Sequence, residues 1–293
     1  MNTSNLQTRF QLVFDGAGNK VRLPLAEIWQ LIVDHLHHFK SCPPKMNLHT
    51  NSAEGDICDY SKLTPEQIHE RLVVQEYGGF ITDTNHLLTT FSIWLSTHRF
   101  TLHPPTLAVV ATPGEKFPSS WKNLIEQLAA LHPIRIAKQY EFLYSRWQNT
   151  IRLDLWKEAW GQVPAYKRTT KTIPSADITH TWLDISQNPG RSVDSELNHY
   201  FVAAEMWLGP GFWSYASCTK EEVLAADFFI EKRDTPHYLY LKSWPHPFTR
   251  PDGEQGRVQQ KLWRLLYKQD CEWPPGSGGI SDVPVGGPPE LMP

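Results

Sequence analysis

Glutamate and histidine three residues apart on a helix put a carboxylate and an imidazole on one face, where both can bind the same metal ion. The chain carries this spacing twice, in Glu66-Gln67-Ile68-His69 and in Glu196-Leu197-Asn198-His199. In four-helix carboxylate proteins two such pairs combine with single glutamates from two further helices, and Glu27 and Glu141 stand in the alternating order that would supply them. The chemistry implied is oxygen activation at a di-metal centre holding iron or manganese. Glu66 and His69 have a competing use at a helix start, because Thr64-Pro65-Glu66-Gln67 has the spacing of a capping box.

A second concentration of ligand types, His35, His37, His38, Cys42, His49 and Cys58, offers imidazole and thiolate to zinc. It contains no Cys-x-x-Cys and no His-x-x-x-His, so a helix flank followed by a polar loop competes with a zinc site. The aromatic run Trp207 to Tyr215 sets Trp207, Phe212, Trp213 and Tyr215 among glycine and proline. Such rings line a ligand pocket or a partner groove, or close a core beneath a loop. His246, between Pro245 and Pro247, and Arg250 are polar residues that could join such a pocket. The nucleophile elbow, the phosphate-binding loop and the dinucleotide fingerprint are absent.

The elements that must position these groups read as mostly helical. Phe10, Leu12 and Phe14 alternate as in a strand, and Asp15 to Asn19 is a turn. A helix is expected from Thr64 to about Tyr77, ended by Gly78-Gly79, and Asn85 to His98 is apolar and β-branched enough for helix or strand, with helix favoured. Thr106 to Thr112 is a short apolar strand between breakers. Trp121, Leu124, Ile125, Leu128 and Leu131 form a helical stripe, and a second stripe through Tyr140, Leu143, Tyr144, Trp147, Ile151 and Leu155 predicts the longest helix. Ile178 to Ile185 and His237 to Trp244 read as strands, and Glu196 to Leu208 as a helix. Thr219 to Glu222 is a second capping box, and Val258, Leu262, Leu265 and Leu266 mark a final helix. The expected class is α+β, predominantly α-helical, with a few short strands. The expected organisation is a region at 1–160, a linker at 161–175, a smaller α+β region at 176–270 and a disordered tail at 271–293. After Trp273 that tail holds six prolines and five glycines without apolar period.

The stretch Leu23 to Leu36, with Pro24 suited to the first helical turn, carries Leu25, Ile28, Trp29, Ile32 and Leu36 on one helical face. With Leu23-Pro24 at its start and Glu27-Ile28, Ile32-Val33 and His35-Leu36 within it, this segment resembles the opening helix of an F-box. The likeness covers about fourteen residues and lacks the second half of an F-box, and the Leu-Pro stands one residue early. The resemblance implies an adaptor whose Ile28, Trp29, Ile32 and Leu36 would dock a Skp1-like partner.

Composition bounds the rest. The chain has 293 residues, 28 Lys and Arg against 31 Asp and Glu, and 12 Trp. Glu272, Asp282 and Glu290 of the tail account for the whole excess, so nothing favours a nucleic-acid partner. Four cysteines are too few for a disulfide framework. Without a signal region or a long apolar run, a soluble intracellular protein is expected, cytoplasmic or nuclear, with no membrane contact. Two readings follow: a protein-interaction or adaptor protein without cofactor, or a mainly helical enzyme acting on a small molecule, with the metal residues or the aromatic run as its site.

Overall fold

A strand turns alternate residues to opposite faces, and Phe10, Leu12 and Phe14 against Gln11 and Val13 meet that requirement. They form β1 (Thr8–Phe14), followed by α1 (Leu25–Leu36), β2 (Met46–Leu48), β3 (Asp56–Cys58), β4 (Tyr77–Gly78), β5 (Ser92–His98) and β6 (Thr106–Val110). Then come α2 (Ser120–Leu131), β7 (Ile134–Glu141), α3 (Phe142–Asn149), β8 (Thr170–Pro174), β9 (Thr179–Leu183), β10 (Val193–Ser195), β11 (Asn198–Tyr200) and β12 (Glu205–Leu208). A 3-10 turn at Pro210–Phe212 leads to α4 (Lys220–Ala225), β13 (Glu231–Asp234), β14 (Leu239–Lys242) and α5 (Gly253–Leu266). The computed structural model describes residues 7–16, 23–39, 46–48, 56–58, 64, 66–67, 77–78, 92–98, 106–111, 116–149, 170–174, 179–183, 188–195 and 198–267.

Among the described residues, eight strands form one antiparallel sheet in the order β13-β14-β12-β7-β1-β6-β5-β4. This corrects the expectation of a predominantly helical chain, because the sheet organises the molecule and helices cover its faces. The error has a physical source in β7, which lies mid-sheet and is buried along nearly its whole length. A strand covered on both faces loses the apolar and polar alternation that identifies it. Tyr140 therefore belongs to β7, and only Phe142–Asn149 of the expected long helix is described as α3. Ser92–His98 is strand where a helix was expected, and Glu196 to Leu208 contains β11 and β12. The Thr64 capping box does form, with the Gln67 amide N–H donating to Thr64 Oγ1 at 3.3 Å and Thr64 N–H to Gln67 Oε1 at 2.9 Å. A helix cannot run from it to Tyr77, because Tyr77 pairs with His98 in the sheet. The strands expected near Thr106, Ile178 and His237 are β6, β9 and β14.

Pairing of β12 with β7 joins the regions at 1–160 and 176–270 in the same sheet. Within the expected linker, 170–174 is strand β8 paired with β9, and the tail at 271–293 lies outside the described residues.

On one face of the sheet, Ile28, Trp29, Ile32 and Leu36 of α1 pack with Trp121, Leu124, Ile125 and Leu128 of α2 over Phe10, Leu12, Phe14, Leu107, Val109, Trp207 and Tyr240. On the other, Val258, Leu262, Trp263 and Leu266 of α5 cluster with Val13, Ile136, Met206, Leu208, Leu239 and Leu241. Each such large apolar side chain contributes about 1.5–3 kcal/mol by leaving water.

Register shifts once between β1 and β7. Val13 faces Ile136 and Phe14 faces Ile134, so Arg135 is an extra residue in a bulge. The Arg135 side chain turns back to the Asp15 carboxylate at 3.1 Å and covers the Tyr215 ring at 4.4 Å. Beside the bulge, β12 passes so close that a Cβ on Gly209 would lie 1.9 Å from the Ile134 carbonyl oxygen. Only glycine fits there.

Candidate functional site

β1 and β12 begin, and β7 and β14 finish, at the same end of the antiparallel sheet. There, on the face covered by α2, lies a cavity of about 510 Å³. Register decides which side chains form its floor. Phe10 faces Gln139, which faces Glu205, which faces Lys242, giving one continuous row across four strands. In the next row on the same face, Trp207 stands beside Tyr240. The rings of Phe10 and Trp207 lie 6.4 Å apart, and Trp121 from α2 meets Phe10 edge-on at 5.4 Å. Phe117, in the segment entering α2, packs edge-on against Trp121 at 5.0 Å. Lys116, Ser119, Trp244 to Pro247 and Thr249 complete the wall, with Gln255 from α5. Gln255 fixes that loop by accepting the amide N–H groups of Thr249 at 2.9 Å and Arg250 at 3.2 Å.

The wall carries two carboxylates, and both hold structural bonds. Glu141 is buried and accepts the amide N–H of Gln7 at 3.1 Å and that of Tyr144 in the first turn of α3. It caps that helix and ties the start of β1 to it. Glu205 accepts the Tyr240 hydroxyl and pairs with Lys122 at 3.2 Å. Lys122 also donates to the Tyr240 hydroxyl oxygen at 2.9 Å. Burial, followed by the hydrogen bond to the Glu205 carboxylate, pushes the Tyr240 hydroxyl well above its ordinary value of 10. Tyr240 is therefore a donor at any ordinary pH. The indole N–H groups of Trp121 and Trp207 are buried with no acceptor among the described residues.

The residues singled out in the sequence are dispersed by the fold. Glu27 is exposed on α1, Glu66 is exposed beside Thr64, and Glu141 has the capping role just given. His199 sits in strand β11 opposite Asp194, so the second Glu-x-x-His is not on a helix. His69 and Glu196 lie outside the described residues. Among the described residues no three His, Cys, Asp or Glu side chains converge as metal ligands. In the histidine cluster, His35 bonds through Nδ1 to the Leu31 carbonyl at 2.8 Å, and the His37 and His38 rings lie tilted with their centres 4.0 Å apart. Desolvation and then the neighbouring His37 and His35 lower the His38 pKa. Cys42 and His49 lie outside the described residues.

Ile28, Trp29, Ile32 and Leu36 are 0–1% exposed, so the face that the F-box likeness would offer to a Skp1-like partner is the underside of α1 against the core. The aromatic run is split by the sheet. Trp207 faces the cavity, whereas Phe212 is buried on the opposite face with Trp213 and Tyr215 packed beside it. His246 lies on the cavity wall, although nothing in its spacing required it. Phe10, Phe117, Trp121, Gln139 and Lys242 were not legible as site residues. Phe10 and Trp121 read as ordinary core positions, and Gln139 belongs to the strand whose alternation is lost.

No helix among the described residues is long and apolar enough to cross a membrane. No protein-family model matches the chain, and no curated protein matches it. Among solved structures it is similar to the Pseudomonas aeruginosa T6SS protein PA0821, at 11% identity, covering 85% of this chain and 71% of that one with a TM-score of 0.47. A likeness of that depth bears on neither activity nor partner.

Proposed function

We propose that this chain is a non-catalytic binding protein that takes a small, mainly apolar organic ligand into the cavity beneath α2. The observation that supports this reading is the wall itself, with Phe10, Phe117, Trp121, Ile125 and Trp207 around a space of about 510 Å³. That volume falls within the roughly 300–1,000 Å³ usual for ligand pockets, which are mostly apolar with a few polar groups fixing orientation. Both carboxylates on the wall hold structural hydrogen bonds, which suits binding better than acid and base work.

The adaptor reading keeps the α1 likeness as its support. It requires Ile28, Trp29, Ile32 and Leu36 to exchange core contacts for a partner's, at a cost of about 1.5–3 kcal/mol for each large side chain uncovered.

Calorimetric titration with naphthalene-2-carboxamide, a neutral two-ring probe, tests the cavity. The wild-type protein binds it, and Gln139→Trp, which fills the floor from β7, loses it while keeping a cooperative melt. Thr8→Trp is a second plug should the first fail to fold. Undiminished binding in a folded plugged variant would contradict the cavity as the site.

A further inference from the structure

The charged groups of the cavity wall are not balanced, and this bears on its ligand if the binding reading holds. Lys116 and Lys242 line the wall with no ion pair to a described carboxylate, in contrast to Lys122, which is paired with Glu205. Lys242 has Glu205 and Glu231 as its cross-strand neighbours. Glu205 is engaged by Lys122 and Tyr240, and Glu231 is exposed and does not line the cavity. The indole N–H groups of Trp121 and Trp207 also lack acceptors among the described residues, but they are buried within the wall, so the lysines are the groups a ligand meets. Three ammonium groups thus stand against two carboxylates on the wall, and both carboxylates already hold protein donors. The start of α2 adds to this polarity, because its first turn contains no acidic residue and its N-cap Ser119 makes no side-chain capping bond. The wall therefore carries an excess of positive charge.

We infer that the ligand is an organic anion with an apolar body, its carboxylate-like group held near Lys242 and Lys116 and its body against Phe10, Phe117, Trp121 and Trp207. A neutral ligand would make no ion pair with either ammonium group. A cationic one would meet them directly.

Three naphthalene probes of equal ring size separate the charge from the cavity: 2-naphthoate, naphthalene-2-carboxamide and 2-naphthylmethylammonium. Titrated into the full chain at low salt, the carboxylate binds at least about fivefold tighter than the amide, and the ammonium binds weakest. Lys242→Gln brings carboxylate and amide to within about twofold, and added salt narrows the wild-type gap. Equal binding of carboxylate and amide, or a preference that survives both Lys242→Gln and Lys116→Gln, overturns the anion assignment and leaves the cavity reading in place. Failure of all three probes to bind overturns the cavity reading itself.

Discussion

Glu205 meets two demands with one carboxylate, accepting the Tyr240 hydroxyl and pairing with Lys122 across the gap between sheet and α2. In Glu205→Gln the ammonium loses its counter-ion and the tyrosine its charged acceptor. The expected cost is about 1 kcal/mol, read from denaturant midpoints, because a hydrogen bond to a charged group is replaced by one to a neutral amide. Tyr240 supplies a pH signature. A hydroxyl whose folded pKa lies above the ordinary 10 stabilises the fold fully below that value, and the contribution is lost as pH rises beyond it. Glu205→Gln therefore titrates Tyr240 at lower pH by ultraviolet absorbance and weakens the alkaline loss of stability. Lys138 gives the opposite slope. It is fully buried on the other face, 3.6 Å from the Phe201 ring centre, and burial followed by the nearby Arg9 holds its pKa well below 10.5. Between that lowered value and 10.5 the unfolded chain holds a proton the folded chain lacks, so this lysine makes stability rise with pH. Replacing a buried charge with an apolar side chain of similar length is often stabilising. Lys138→Met should raise the melting temperature at pH 7 and flatten the rise toward alkaline pH.

Helix ends and helix faces are the elements most readable in this chain, because the signals that form them lie within a few residues. Thr219 accepts the Glu222 amide at 3.2 Å while the Glu222 carboxylate accepts the Thr219 amide at 2.7 Å, as Thr-x-x-Glu predicts. Thr219→Ala should cost about 0.5–2 kcal/mol in a denaturant titration, with α4 the first segment to exchange its amides. Spacings of three and four in α1 and α2 likewise reported their buried faces, except that Leu131 at the end of the α2 stripe is exposed. What the spacing did not report is which surface covers them. Ile28 and Ile32 have the same pattern whether they meet a partner or their own sheet, and here they meet Phe10, Leu12 and Trp121. Ile32→Ala should cost about 2–5 kcal/mol in a chain with no partner present, by leaving a cavity in the core. A cost within a few tenths of a kcal/mol would mean that α1 is not seated on the sheet in solution.

At the scale of the molecule, the sheet was hidden because its central strand looks the same from both sides. Ile134-Arg135-Ile136-Ala137-Lys138-Gln139-Tyr140-Glu141 buries charged and polar residues beside apolar ones, and a bulge at Arg135 breaks its period. Pairing of β7 with β12 across nearly seventy residues of chain is a long-range fact that local spacing cannot carry. The cavity is hidden for the same reason. Phe10, Gln139, Glu205 and Lys242 become neighbours only through the register of four strands, and Trp121 joins them only when α2 lies over that face. His246, Trp207 and Glu141 are the cavity residues singled out from the sequence, the first two for their setting among prolines, glycines and other rings and Glu141 for a metal-binding role that its capping bonds replace.

Indole N–H resonances locate ligand binding in this molecule directly. Trp121 and Trp207 line the cavity, Trp29 is buried beneath α1, and Trp263 lies on the opposite face under α5. With these four signals assigned, addition of 2-naphthoate should shift Trp121 and Trp207 and leave Trp29 and Trp263 in place. Equal movement of Trp263, or no movement of Trp121 and Trp207 while the probe binds, would contradict the cavity beneath α2 as the binding site.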